Sequence, residues 1–146
     1  MKKFINKIGV MQGRICNDNL NSLNVYPSNP FNEFRIAKKL NLSHIELITE
    51  NRFNTNNLIW HDKKLKKLNH YFIQNNLKKI SLIDNRATRK NFFSNIKYYL
   101  KLIKQIRKLK LKNFILPLYN KEYLNKKNKK KTLESILMIF NLCEKN

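Results

Sequence analysis

Apolar residues along this 146-residue chain fall into two alternating rhythms, short dense runs and longer stripes at helical spacing. The first dense run, residues 7–14, reads as a buried parallel strand: Ile8, Val10 and Met11 would fill a core, and Gly13 lets the backbone turn as the strand ends. A polar loop from Asn17 to Ser28 then leads to Asn29-Pro30, an N-cap followed by proline at the first helical position. Phe31, Phe34, Ile36, Ala37 and Leu40 form the stripe of a first helix, with Asn41 as its left-handed C-cap. A second strand follows over residues 44–50. Asp62 is placed to cap a second helix that turns Leu65, Leu68 and Phe72 inward and lysines 63, 64, 66 and 67 outward.

The alternation continues. A third strand, residues 79–84, is apolar until Asp84; a long helix, about Asn91 to Lys110, carries Phe92, Ile96, Tyr99, Leu100, Ile103 and Ile106 on one side. A fourth strand spans residues 113–119 and contains Pro117, which cannot donate to a ladder and marks an end or a bend. Lys121 to Lys131 reads as a loop or frayed helix start, and Thr132 to Cys143 as a dense apolar helix. Four strand-helix units in steps of roughly 36 residues predict an α/β fold with a parallel sheet and right-handed crossovers. An eight-stranded barrel needs about 200–250 residues, so the expectation is a partial barrel, its N-terminal half, in a single domain without a Gly- or Pro-rich linker. A doubly wound sheet is the alternative, but neither GxGxxG nor GxxxxGK[ST] occurs to support it.

Composition adjusts this picture at two points. Thirty-one Lys and Arg against nine Asp and Glu give a formal charge of +22, which raises nucleic acid as a partner. Lysine dominates that excess, although arginine reads phosphates and bases better. The lysines are also spread over several helix faces, so the charge predicts non-specific, salt-sensitive attraction to polyanions ahead of a dedicated nucleic-acid function. No apolar run approaches the roughly 20 residues that span a bilayer, and the N-terminus lacks a signal-peptide core, which leads to the expectation of a cytoplasmic chain with no membrane partner. Cys16 and Cys143 form no CxxC pair and read as two reduced thiols.

Candidate chemistry lies at the carboxyl ends of the strands, where sheets built from βα units hold substrates. Gln12 and Arg14 share parity with Ile8 and Val10 and would face a barrel axis together, Gln12 toward a hydroxyl and Arg14 toward a phosphate or carboxylate, or as a tie for the following loop. Glu46 is the odd residue of an apolar strand. A carboxylate there needs a partner, a barrel lysine or arginine, or takes a raised pKa suited to a general base. Glu50 and Asp84 end the second and third strands, placed to orient sugar hydroxyls or to cap helices.

Ile8-Gly-Val-Met-Gln-Gly-Arg14, Tyr26-Pro27, Phe31-Asn-Glu-Phe34 before Ala37, and His44-Ile-Glu-Leu-Ile-Thr-Glu50 resemble the start of the sugar phosphate isomerase/epimerase family. Asn56-Asn57-Leu58, Ser81-Leu-Ile-Asp84 and Phe114-Ile-Leu-Pro117 are similar to later elements of the same family. The resemblance implies a xylose isomerase-like barrel, of which this chain carries the first half, with Phe31 where tryptophan is frequent and Asn41 where glycine is usual. It further implies metal-assisted proton transfer between adjacent carbons of a sugar or sugar phosphate, with a divalent ion (manganese, magnesium, cobalt or zinc) polarising the carbonyl. The family's metal ligands come mainly from the second half barrel, and His44, His61 and His70 have no spacing that replaces them. The expected partners are therefore a second half-barrel chain or a second copy of this one. The alternatives are a catalytically inactive remnant that binds a sugar or a partner, and a small basic nucleic-acid-binding protein.

Overall fold

The computed structural model describes residues 8–16, 26–50, 52–88, 95–117 and 129–145. Most of the Asn17–Ser28 loop, the expected start of the long helix at Asn91, the far end of the fourth strand and the tract 121–128 lie outside the described residues. Four strands and four α-helices alternate: β1 (Gly9–Met11), α1 (Pro30–Lys39), β2 (His44–Thr49), α2 (Asp62–Gln74), β3 (Ser81–Asp84), α3 (Ile96–Leu109), β4 (Asn113–Ile115) and α4 (Lys129–Lys145). β4 stops two residues before Pro117, as a missing ladder donor requires. α4 begins three residues ahead of Thr132, its first turn built from lysines, which are good helix formers.

Side chains set the helix starts. Asn29 Oδ1 accepts from Asn32 N at 3.1 Å, and Asn95 Oδ1 accepts from Tyr98 N at 3.0 Å. Asp62 does not cap α2. It is the first helical residue, and His61 stands at the cap without a side-chain bond. The Asp62 carboxylate instead reaches α3, pairing with Lys108 Nζ at 2.8 Å and accepting from Gln105 Nε2 at 3.0 Å. Cross-helix partners outbid the local cap here.

The helix ends repeat one device. Asn41, Asn76 and Lys110 each take φ 55°. The leucine after each donates its N–H back five residues, Leu42 to Ala37 O, Leu77 to Phe72 O and Leu111 to Ile106 O, at 2.9–3.1 Å. The left-handed residues themselves donate to Lys38, Ile73 and Arg107 carbonyls. These are Schellman motifs with the expected apolar residue behind them, and each delivers the chain to the next strand.

The sheet runs β1-β2-β3-β4, with every neighbouring pair parallel. Sequential order without reversal means that each crossover adds its strand on the same side. With right-handed crossovers all helices then cover one face, and α1–α2, α2–α3 and α3–α4 do pack in succession. A doubly wound sheet would reverse direction and place helices on both faces. The fold is thus α/β with four parallel βα units in the order of a barrel arc.

The two sheet faces differ. Val10, Ile45, Leu47, Leu82 and Phe114 turn to the helices and join a core with Phe34, Leu68, Phe72, Tyr99 and Leu102. Met11, Glu46, Ile48, Ser81, Ile83 and Ile115 alternate onto the opposite, inner face. On that face the His44 ring lies across Gly9, where an added Cβ would fall 2.1 Å from Nε2, so any larger residue there would displace the ring. Among the described residues no helix is long and apolar enough to cross a membrane.

Candidate functional site at the carboxyl ends of the strands

β1 ends at Met11, so the parity that would align Gln12 and Arg14 with Val10 does not extend to them. Val10 packs on the helix side, and Gln12-Gly13 already form a turn. The backbone N–H of Gln12 continues the ladder to Glu46 O at 2.8 Å. Its side chain is 2% exposed, with Oε1 taking the Ile48 N–H at 3.4 Å. Nε2 lies beside the Tyr26 hydroxyl without a well-formed hydrogen bond. Arg14 sits in the bend beyond, its side chain exposed.

Glu33 holds this turn in place. It projects from the first turn of α1, is fully buried, and its Oε1 accepts from Gly13 N at 2.7 Å and from Ile15 N at 3.4 Å. Gly13 adopts φ 87°, a conformation that suits glycine. Burial pushes the Glu33 carboxyl above its ordinary value, and the backbone donors restrain the rise. Glu33 was not singled out by the sequence pattern as a working group. The available signal is its place four residues before Ala37 and next to Phe34, the lone acid on a buried stripe.

Glu50 lies just past the end of β2, buried, with Asn57 Nδ2 at 2.8 Å and Asn54 Nδ2 also donating to it. Asn57 is pinned in turn: Nδ2 donates to Ile48 O at 2.9 Å and Oδ1 accepts from Ile59 N at 3.1 Å. Burial raises the Glu50 pKa, and the two amides oppose that rise. Tyr26 closes the group, its hydroxyl accepting from Leu58 N at 3.1 Å. Its pKa is driven upward, first by burial and then by the charges of Glu50 and Glu33, against the Leu58 bond. The structure therefore gathers Gln12, Tyr26, Glu33, Glu50 and Asn57 around the carboxyl ends of β1 and β2.

Asp84 does not join them. Its register partner is Thr49, on the helix side of the sheet, and its carboxylate is fully buried there. Thr49 Oγ1 donates at 2.5 Å, Tyr98 OH at 2.8 Å, Tyr99 OH at 3.0 Å and Arg86 N at 3.3 Å. Burial raises its pKa while the donors counter it, and both tyrosines are raised by burial and by the Asp84 charge. The expected orientation toward sugar hydroxyls gives way to a clamp between β3 and α3. Glu46, on the inner face, accepts from Ser81 Oγ at 2.6 Å. Its partner is thus a neutral hydroxyl where a lysine or arginine was expected.

These groups do not suit a divalent cation. The carboxylates of Glu50, Asp84 and Glu46 are spoken for by amides and hydroxyls on different faces, and among the described residues no three His, Cys, Asp or Glu side chains gather. His44 Nδ1 is 2.6 Å from Ser43 Oγ, and His61 Nε2 contacts Thr55 O. No protein-family model and no curated protein matches the sequence.

Proposed function

We propose that the chain is the first half of a sugar or sugar-phosphate isomerase/epimerase-like barrel, to be completed by four further βα units. A second half-barrel chain or a second copy of this one would supply them. The observation that supports this reading best is the unreversed strand order, which leaves helices on one face and an inner face carrying Glu46 open to a complementary arc. We assign Gln12, whose buried Nε2 has no hydrogen-bond partner among the described residues, to a sugar hydroxyl, and the exposed Arg14 to a phosphate. Glu46 is the candidate for moving the proton. Glu50 orders the loop through Asn54 and Asn57 at the same end of the sheet. The divalent ion that the resemblance implies would have to take its ligands from the completing half.

Solvent deuterium incorporation into a panel of ketose and aldose phosphates tests this, run with manganese and with candidate completing chains from the source genome. Incorporation that disappears in Glu46→Gln supports the reading. Saturable sugar-phosphate binding without incorporation under any pairing overturns catalysis and leaves the inactive binding remnant.

A further inference from the structure

A cleft of about 500 Å³ opens between the β1–α1 connection, the β2–α2 connection and the first turns of α2. That volume suits a small molecule. Part of its lining is apolar or aromatic: Tyr26, Pro27, Phe31 and Leu58. Its polar lining is cationic and amide-rich, with Lys64 and Lys67 one helical turn apart on α2, and Asn54 and Asn56 from the β2–α2 connection. Among the described residues no carboxylate lines the cleft. Lys64 has no hydrogen bond or ion pair among the described residues, and Lys67 rests its ammonium 4.7 Å from the Phe31 ring centre. Among the described residues the lysine pair has no carboxylate partner, unlike Lys108, which pairs with Asp62 at 2.8 Å.

We infer that this cleft binds a small phosphomonoester with a compact apolar body. Two ammonium groups match the double negative charge of a phosphomonoester, and lysine binds phosphate as a point charge without needing the arginine fork. The apolar body displaces water from Pro27, Phe31 and Leu58, and Asn56 offers an amide to a ligand oxygen. The site shares Tyr26 with the group at the carboxyl ends of β1 and β2 but takes its charge from α2, and it stands independently of the isomerase reading.

Phenyl phosphate, inorganic phosphate and phenol, titrated into the full chain at constant ionic strength and followed by amide chemical shifts, test the inference. Phenyl phosphate should shift Phe31, Asn56 and Leu58 saturably and bind at least about fivefold more tightly than inorganic phosphate, the gain coming from apolar burial. The double variant Lys64→Gln/Lys67→Gln should weaken it by about tenfold through loss of charge-assisted contacts. Lys97→Gln/Lys104→Gln removes the same charge from α3 and should leave binding unchanged. Equal losses in both variants, or unsaturable shifts scattered over the lysines, mean diffuse attraction only and overturn the site. Circular dichroism melts establish that both variants are folded.

Discussion

Glu33 ties a helix to the loop after the first strand through one carboxylate oxygen, and its other oxygen is buried without a hydrogen bond. Glu33→Ala strands the Gly13 N–H in the interior and should lower stability by about 2 kcal/mol, the typical cost of an orphaned buried donor. Glu33→Gln keeps an acceptor and removes a carboxyl that burial disfavours in its charged form, so it should stay within about 1 kcal/mol of the parent. Urea unfolding at neutral pH separates the two. Glu33, Glu50 and Asp84 all carry folded-state pKa values above their ordinary ones, with burial as the leading cause. The folded chain therefore holds protons that the unfolded chain has released. Stability from these groups is fully present below the unfolded pKa and is lost as pH rises through the folded ones. The urea midpoint should accordingly climb as pH falls from neutrality toward the ordinary carboxylate range, and Glu33→Gln and Glu50→Gln should each flatten that climb. A midpoint that drops over this window contradicts the assignment.

At the scale of elements, each of the first three helices ends on a left-handed residue followed by leucine. Asparagine tolerates that conformation at 41 and 76, but lysine at 110 pays for it in Cβ contacts. Lys110→Gly should raise stability by roughly 0.5–1 kcal/mol, read as a higher urea midpoint at unchanged slope. Asn29→Ala removes the bond to Asn32 N and should cost about 1 kcal/mol. Much of this was legible. Asn29-Pro30 and Asn41 carry their caps in local chemistry, and the β4 stop follows from Pro117. Asp62 was misread because a cap residue and a cross-helix ion-pair residue look alike in one dimension. Lys108 and Gln105 lie more than forty positions away, and only packing of α2 on α3 brings them near.

Across the whole molecule, charge and closure dominate. Glu33, Glu50 and Asp84 are buried, so three of nine acids do little for the surface, and the Lys108–Asp62 pair is the one ion pair among the described residues. Lysines on α1, α2, α3 and α4 repel one another across the helical layer. Raising NaCl from about 20 to about 300 mM should raise Tm by a few degrees as that repulsion is screened, which differential scanning calorimetry will measure. The inner sheet face exposes Ile115 at its β4 edge, and Ile8 is exposed just before β1. A complementary arc would cover both residues.

The sequence by itself determined the alternation of strands and helices, the parallel sheet and two of the caps, Asn29 and Asn41, because periodicity, proline and asparagine act on their own neighbours. Only the tertiary structure decided which way the polar groups at the strand ends face. β1 stopped at Met11, before its parity could carry Gln12 and Arg14, and the register of β3 against β2 turned Asp84 onto Thr49, Tyr98 and Tyr99. The same packing made Glu33 the support of the Gly13 turn. A side chain's face depends on where its strand stops and what lies across from it, and both are set by residues far away along the chain.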